Sequence, residues 1–385
     1  MRRLPAGPAV LAVLAVLAVS ACSGPAPPRS AARPTAPSAP AELPAPTGGH
    51  PVGSTVLHLK DASRPDPWNL DAEARELKVT LWYPAERGDG RRAPYMTRKE
   101  AELLLKGRRI AGVPADLLSG TRTHAIENAR PAGRRLPLVV LSPGFTNPVS
   151  TLTSLAEDLA ARGYVVAGID HAYESHATTL ADGRIAECLA CDSDTDPGFG
   201  TGVVAGRAAD VSFVLDRLPT AWKGGERIDR SRIAMVGQSI GGASALAAMA
   251  KDSRVRAGID MDGTTYARIP KGFSRPFMFL GSPQHASGGR DTSWDRDWKL
   301  LGGWKRWLVV TGAEHASFTD APLLGDALGV EPAAVLPAAR AAEITRTYVA
   351  AFLDRHLKGR PQPLLDEPSP RFPEVRFCPS ACGGS

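Results

Sequence analysis

The run Gly237-Gln238-Ser239-Ile240-Gly241 sets a serine two residues from a glycine on either side. A serine on a tight strand-to-helix turn can expose its hydroxyl as a nucleophile, and side chains two positions away would collide with such a turn. Gly237 and Gly241 therefore read as steric requirements of an elbow at Ser239. With 38 glycines in 385 residues, the pattern arises by chance roughly 0.2 times per chain of this composition, so context has to carry it. Arg232-Ile233-Ala234-Met235-Val236 leads in as a strand, and an Ala- and Leu-rich stretch leads out as a helix. The helix N-terminus would aim its free N–H groups at a developing oxyanion.

A serine hydroxyl needs a base, and the base an orienting acid, in the chain order serine, acid, histidine. Three histidines follow Ser239: His285, His315 and His356. His356 lies beside Arg355 and near Lys358 on a terminal helix and reads as a solvated surface residue. His285 follows a strand and is a rival. His315 follows the strand Trp307–Val310 through a glycine turn, where the base belongs, and is the expected base. Asp260, Asp262 and Asp291 all follow strands and could each be the acid; spacing does not separate them. In Ser142-Pro143-Gly144-Phe145-Thr146, Gly144 leaves room for the backbone, so the Phe145 N–H is expected as an oxyanion donor beside that of Ile240. The chemistry would be acyl transfer to Ser239 and then to water, with no cofactor and no metal.

These residues need a scaffold of strands whose C-terminal ends converge. Short apolar runs at Leu77–Tyr83, Leu138–Leu141, Tyr164–Ile169, Ile233–Val236, Val255–Ile259, Phe277–Leu280 and Trp307–Val310 read as strands. Helical spacing marks Leu152–Ala161, Val203–Leu218 (stopping before Pro219) and Ile344–Leu357. The alternation predicts an α/β class, a mostly parallel sheet covered by helices on both faces, as in the α/β-hydrolase fold. Residues 93–132 break the alternation and read as an insertion beside the site's mouth.

The N-terminus reads as export machinery. Arg2 and Arg3 precede the apolar stretch Ala9–Val19, too short to span a bilayer, and Val19-Ser20-Ala21-Cys22 resembles a bacterial lipobox. Residues 1–21 are expected to be a signal peptide, with Cys22 lipidated and the protein held at the outer face of the cell membrane. Residues 22–51, rich in Pro and Ala, read as a tether, and residues 52–385 as the catalytic domain. The net charge of +6 falls to +4 without residues 1–21, and no basic run is interleaved with aromatics, which excludes nucleic acid as a partner.

Export makes Cys188, Cys191, Cys378 and Cys382 disulfide candidates in three possible pairings; local pairs would close short loops, and a zinc site is the weaker reading. Asp192, Asp194 and Asp196 imitate a calcium loop, but Pro197 and Val203 stand where glycine and glutamate are needed. A solvated acidic loop is expected there. His171 and His176 are expected to serve local hydrogen bonding, and Trp294, Trp298, Trp304 and Trp307 to pack the core.

Four segments together resemble the platelet-activating-factor acetylhydrolase family. They are Leu141–Phe145, Asp158–His171, Gly258-Ile259-Asp260-Met261-Asp262-Gly263, and Gly312–Asp320 with Glu314-His315-Ala316-Ser317-Phe318 at its centre. The similarity runs in order over roughly residues 75 to 358. It implies Asp262 as the acid, supports His315 and the Phe145 and Ile240 donors, and implies short-acyl or oxidised phospholipid substrates. Gln238 departs from the histidine usual in the family and bears on support of the elbow. A lipase or polyester hydrolase shares the same chemistry, and a non-catalytic binding lipoprotein is the reading of a different class.

Overall fold

The computed structural model describes residues 40–330, 333–378 and 382. The expected signal peptide, Cys22 and most of the expected tether lie outside these residues. In chain order the elements begin with β1 (Val52–Asp61), β2 (Arg75–Pro84), α1 (Arg98–Gly107), α2 (Ala115–Ser119) and β3 (Ile126–Glu127). Next come β4 (Leu136–Ser142), α3 (Thr153–Ala161), β5 (Val165–His171), β6 (Thr178–Thr179), β7 (Ile185–Ala186) and α4 (Phe199–Ala221). The elbow strand β8 (Ile228–Gln238) is followed by α5 (Ile240–Lys251), β9 (Val255–Met261), β10 (Phe277–Gly281) and α6 (Ser293–Trp298). The chain ends through β11 (Lys305–Val310), α7 (Ala321–Leu328), α8 (Ala338–Lys358) and β12 (Val375–Cys378).

The main sheet runs β12-β11-β10-β9-β8-β4-β5-β2-β1-β3. Its six central strands, β11 to β5, are parallel, while β12 and β2 pair antiparallel at either side. Period-two alternation explains why the central strands are apolar throughout. In β4 and β8, Leu138, Val140, Ile233 and Met235 face one core with Val211 of α4 and Leu246 of α5. Val139, Leu141, Ala234 and Val236 face the other with Leu155 of α3 and Phe352 of α8. The expected α/β-hydrolase architecture is therefore present.

Several local expectations are corrected. Residues 41–51 are not a free tether: Ala41 and Leu43 are buried, the Leu43 N–H donates to Arg122 O, and Thr47 hydrogen-bonds Asp158. Small apolar residues among prolines offer a pre-extended strip that can be covered without helix or strand. Helix α4 runs through Pro219 to Ala221. A proline so near the end forfeits one N–H bond, and burial of Leu218 and Trp222 offsets the loss. Helix α8 starts at Ala338, because the small residues Ala341 and Ala342 pack closely despite weak hydrophobic contrast. His356 is half-buried, its ring 4.4 Å from that of Trp304, and burial followed by the nearby Arg355 charge pushes its pKa down to about 4.

Both disulfides are local, Cys188–Cys191 and Cys378–Cys382. Asp192, Asp194 and Asp196 are exposed. Trp294 and Trp307 are fully buried, with rings 6.0 Å apart, while Trp298 and Trp304 are partly buried.

Candidate active site

Ser239 sits between β8 and α5 with φ 57° and ψ −131°, a conformation costly for a residue with a Cβ. The turn is held because the Ser239 N–H donates to Met261 O at 2.8 Å on the neighbouring strand. A Cβ on Gly237 would lie 2.1 Å from the Gly241 carbonyl, and one on Gly241 would lie 2.1 Å from Ser142 O. Both glycines are thus demanded by contact. Of seven non-glycine residues with positive φ among those described, Ser239, Asp262 and Thr146 all stand at this one end of the sheet.

Asp262 follows β9 and is buried. Its Oδ2 accepts from His315 Nδ1 at 2.7 Å and from Gln284 Nε2 at 3.0 Å; its Oδ1 accepts from the Ser282 N–H at 2.6 Å and from His285 Nδ1 at 3.0 Å. Burial alone would raise its pKa. The hydrogen bonds from His285 and His315 overcome that and hold the carboxyl well below the usual carboxylate range. It is an anion, as an orienting acid must be.

The two rival acids resolve differently. Asp260 is also buried, but its Oδ1 accepts only the Gly263 N–H and its Oδ2 has no partner among the described residues. Burial, with Asp262 nearby, raises its pKa far above the carboxylate range, so it is a neutral acid. Asp291 is turned toward His285 Nε2, 3.2 Å away, and the Ser293 N–H, 2.7 Å away. His285, the rival base, is stacked on Trp294 at 4.4 Å, and its two ring nitrogens are taken by Asp262 and Asp291. The rival acid and the rival base therefore pair with each other.

His315 donates from Nδ1 to Asp262, which leaves Nε2 as the acceptor nitrogen. Gln238 Nε2 lies 3.4 Å from that atom and donates to the His315 carbonyl at 3.1 Å. Gln238 is buried beneath Gly144, where an added Cβ would lie 2.4 Å from Gln238 Oε1. The residue that departs from the resembled family thus supports both the histidine loop and the floor of the oxyanion loop.

Among the described residues, neither the Phe145 N–H nor the Ile240 N–H has a protein acceptor. Ile240 is the first residue of α5, so its N–H lacks an intrahelical partner. The loop carrying Phe145 rests on a buried polar network. Arg207 of α4 donates to Pro143 O at 2.5 Å, Ser142 Oγ at 3.1 Å and Glu174 Oε2 at 2.7 Å. Glu174 in turn takes Arg75 at 3.0 Å, and its backbone carbonyl accepts the Thr146 N–H at 2.9 Å. His171 joins Ser142 Oγ at 3.0 Å to Asp210 at 2.7 Å. Sequence reading missed Arg207, Glu174 and the Asp262–His285 bond. No local pattern marks them, because each partner is remote in the chain. His176 is half-buried; its N–H donates to Thr146 O at 3.0 Å.

The segment 93–132 stands beside this site. With α7 it walls an apolar cavity of about 240 Å³ that reaches Gln238 and His315. Phe145 on the oxyanion loop, Phe199 and Trp68 form a run of ring contacts at 5.1 and 5.6 Å. The described residues contain no group of three or more His, Cys, Asp or Glu placed to hold a metal.

A family model described as platelet-activating factor acetylhydrolase, isoform II, matches residues 36–187 and 211–360. A probable 1-alkyl-2-acetylglycerophosphocholine esterase of Arthroderma benhamiae is 28% identical over 374 residues, 87% of this chain and 93% of that one. The platelet-activating factor acetylhydrolase of Bos taurus is 24% identical over 336 residues, 73% of this chain and 68% of that one. A solved ferulic acid esterase from Streptomyces cinnamoneus superposes with a TM-score of 0.81 at 45% identity, covering 89% of this chain and 100% of that structure.

Proposed function

Because the chain belongs to the platelet-activating factor acetylhydrolase family of the isoform II type, we propose that Ser239, Asp262 and His315 hydrolyse carboxylic esters through an acyl-enzyme. The observation that carries this reading is the bond from His315 Nδ1 to Asp262 Oδ2 at 2.7 Å, at the same sheet end as the strained Ser239. His315 Nε2 takes the Ser239 proton as Oγ attacks the ester carbonyl. The Phe145 and Ile240 N–H groups hold the oxyanion. The imidazolium, balanced by Asp262, returns the proton to the departing alkoxide, and water repeats the sequence on the acyl-enzyme.

The substrates are short-acyl esters, including phospholipids of the kind named for the curated relatives. The Ser239→Ala variant tests the reading on a short-chain nitrophenyl ester. A loss of about a thousandfold or more in kcat is expected; undiminished turnover would refute it.

The mature protein is anchored through Cys22 at the outer face of the cell membrane. The lipobox-like Val19-Ser20-Ala21-Cys22 supports this. Palmitate labelling that vanishes in Cys22→Ser is the expected result, and labelling that persists there would exclude the anchor.

A further inference from the structure

We propose that the cavity between α1, α2 and α7 is the seat of the ester's leaving alcohol, and that it takes the alkyl or aryl part of that alcohol. This inference rests on Ser239 as nucleophile and His315 as base. In the tetrahedral intermediate the carbon carries four groups: Ser239 Oγ, the oxyanion, the acyl group and the leaving oxygen. The bond to the leaving oxygen breaks as His315 Nε2 delivers its proton there, so that oxygen must lie within hydrogen-bonding reach of Nε2. His315 lines the cavity, whereas Ser239, Phe145 and Ile240 do not. The carbon chain borne by the leaving oxygen therefore enters the cavity. The acyl group then lies on the side of the reacting carbon away from the cavity.

The lining sets the chemical class. Leu104 and Leu105 of α1, Val113 before α2, Leu118 of α2, and Leu324 and Leu328 of α7 supply apolar walls. Arg108 is the one lysine, arginine or carboxylate residue in the lining, and its Nη2 is engaged by Asn147 Oδ1 at 2.5 Å. Tyr95, Asn147, Thr151, Gln238 and Thr319 are the uncharged polar residues among these walls, and each hydroxyl of a polyol that they did not meet would cost roughly 1–3 kcal/mol. An alkyl chain carries none, and each buried methylene contributes about a fourfold gain in binding.

The test compares two isomeric esters, hexyl acetate and ethyl hexanoate, which carry the long chain on the alcohol and on the acyl side respectively. Leu104→Trp narrows the cavity from α1, and Gly325→Leu narrows it from α7, where an added Cβ meets only ordinary contacts at 3.8 Å or more. Excluding two methylenes should lower the ratio of kcat/KM for hexyl acetate to that for ethyl hexanoate about fifteenfold in each variant. Because both esters are measured on one preparation, the ratio does not depend on the folded fraction. A ratio unmoved in both variants overturns the proposal, and a ratio that rises assigns the cavity to the acyl chain instead. Turnover of both esters that survives Ser239→Ala would refute the underlying reading, not the seat of the alcohol.

Discussion

His285 Nδ1 is bonded to Asp262 through Oδ1, 3.0 Å away, the oxygen that His315 does not use. The carboxylate therefore holds two imidazoles, one on each oxygen. His285 also faces Asp291 through Nε2, and it lies against Trp294 with its carbonyl accepting Trp307 Nε1 at 2.9 Å. Burial would lower its pKa, but the bonds to Asp262 and Asp291 and the charge of Asp262 outweigh burial and raise it to about 9.

A pH dependence of stability results from that shift. The folded pKa lies above the ordinary histidine value of about 6.5, so protonated His285 stabilises the fold fully below that value. The contribution is lost as pH rises from about 6.5 through about 9, on the order of 2–3 kcal/mol. Urea unfolding at pH 7 and pH 9.5 should show that decline in the wild type and a flatter profile in His285→Gln. Equal slopes in the two proteins would contradict a charged His285.

The carboxylates of Asp262, at the end of β9, and Asp291, before α6, should differ sharply in kinetics. Asp262→Asn removes the charge that balances the His315 imidazolium and is expected to lower kcat by about 10³–10⁴-fold. Asp291→Asn acts only through His285 and should cost less than about tenfold. Steady-state rates on one ester decide this, and a larger loss from Asp291→Asn would move the acid role to that residue.

At the elbow, Gly241→Ala forces a Cβ to 2.1 Å from the Ser142 carbonyl, a backbone atom with no freedom to retreat. A destabilisation of about 2–3 kcal/mol or more is expected, with loss of turnover because β4 and β8 carry both halves of the oxyanion site. Thermal denaturation alongside activity checks it; a wild-type melting temperature would show that the turn can relax.

Beneath the oxyanion loop, Arg207→Met leaves Glu174 with half of its charge compensation and frees the Pro143 carbonyl. Breaking a buried pair from one side costs about 3–5 kcal/mol. The folded fraction that remains should lose kcat more than it gains KM, because loop position matters most once the oxyanion forms. Kinetics normalised to fluorophosphonate-reactive serine would detect the split.

Ser239, its glycines, the strand before it and the helix after it were legible from local pattern, since a tight turn depends on residues adjacent in the chain. The alternation of apolar runs likewise determined the parallel sheet and placed His315 at a strand end. The acid was not legible on physical grounds: Asp260 and Asp262 end one strand, Asp291 comes after the next, and the resemblance alone favoured Asp262. The contact that favours Asp262 is tertiary: its bond to His315, 53 residues away, depends on how β9, β10 and β11 are registered and on the positive φ that turns Asp262 aside. The same holds for Asp260, made neutral by burial without a second partner, and for Arg207 under the oxyanion loop. Local sequence specifies which side chains arrive at the sheet's C-terminal end; only the packed fold sets their burial and partners, and with these their charge.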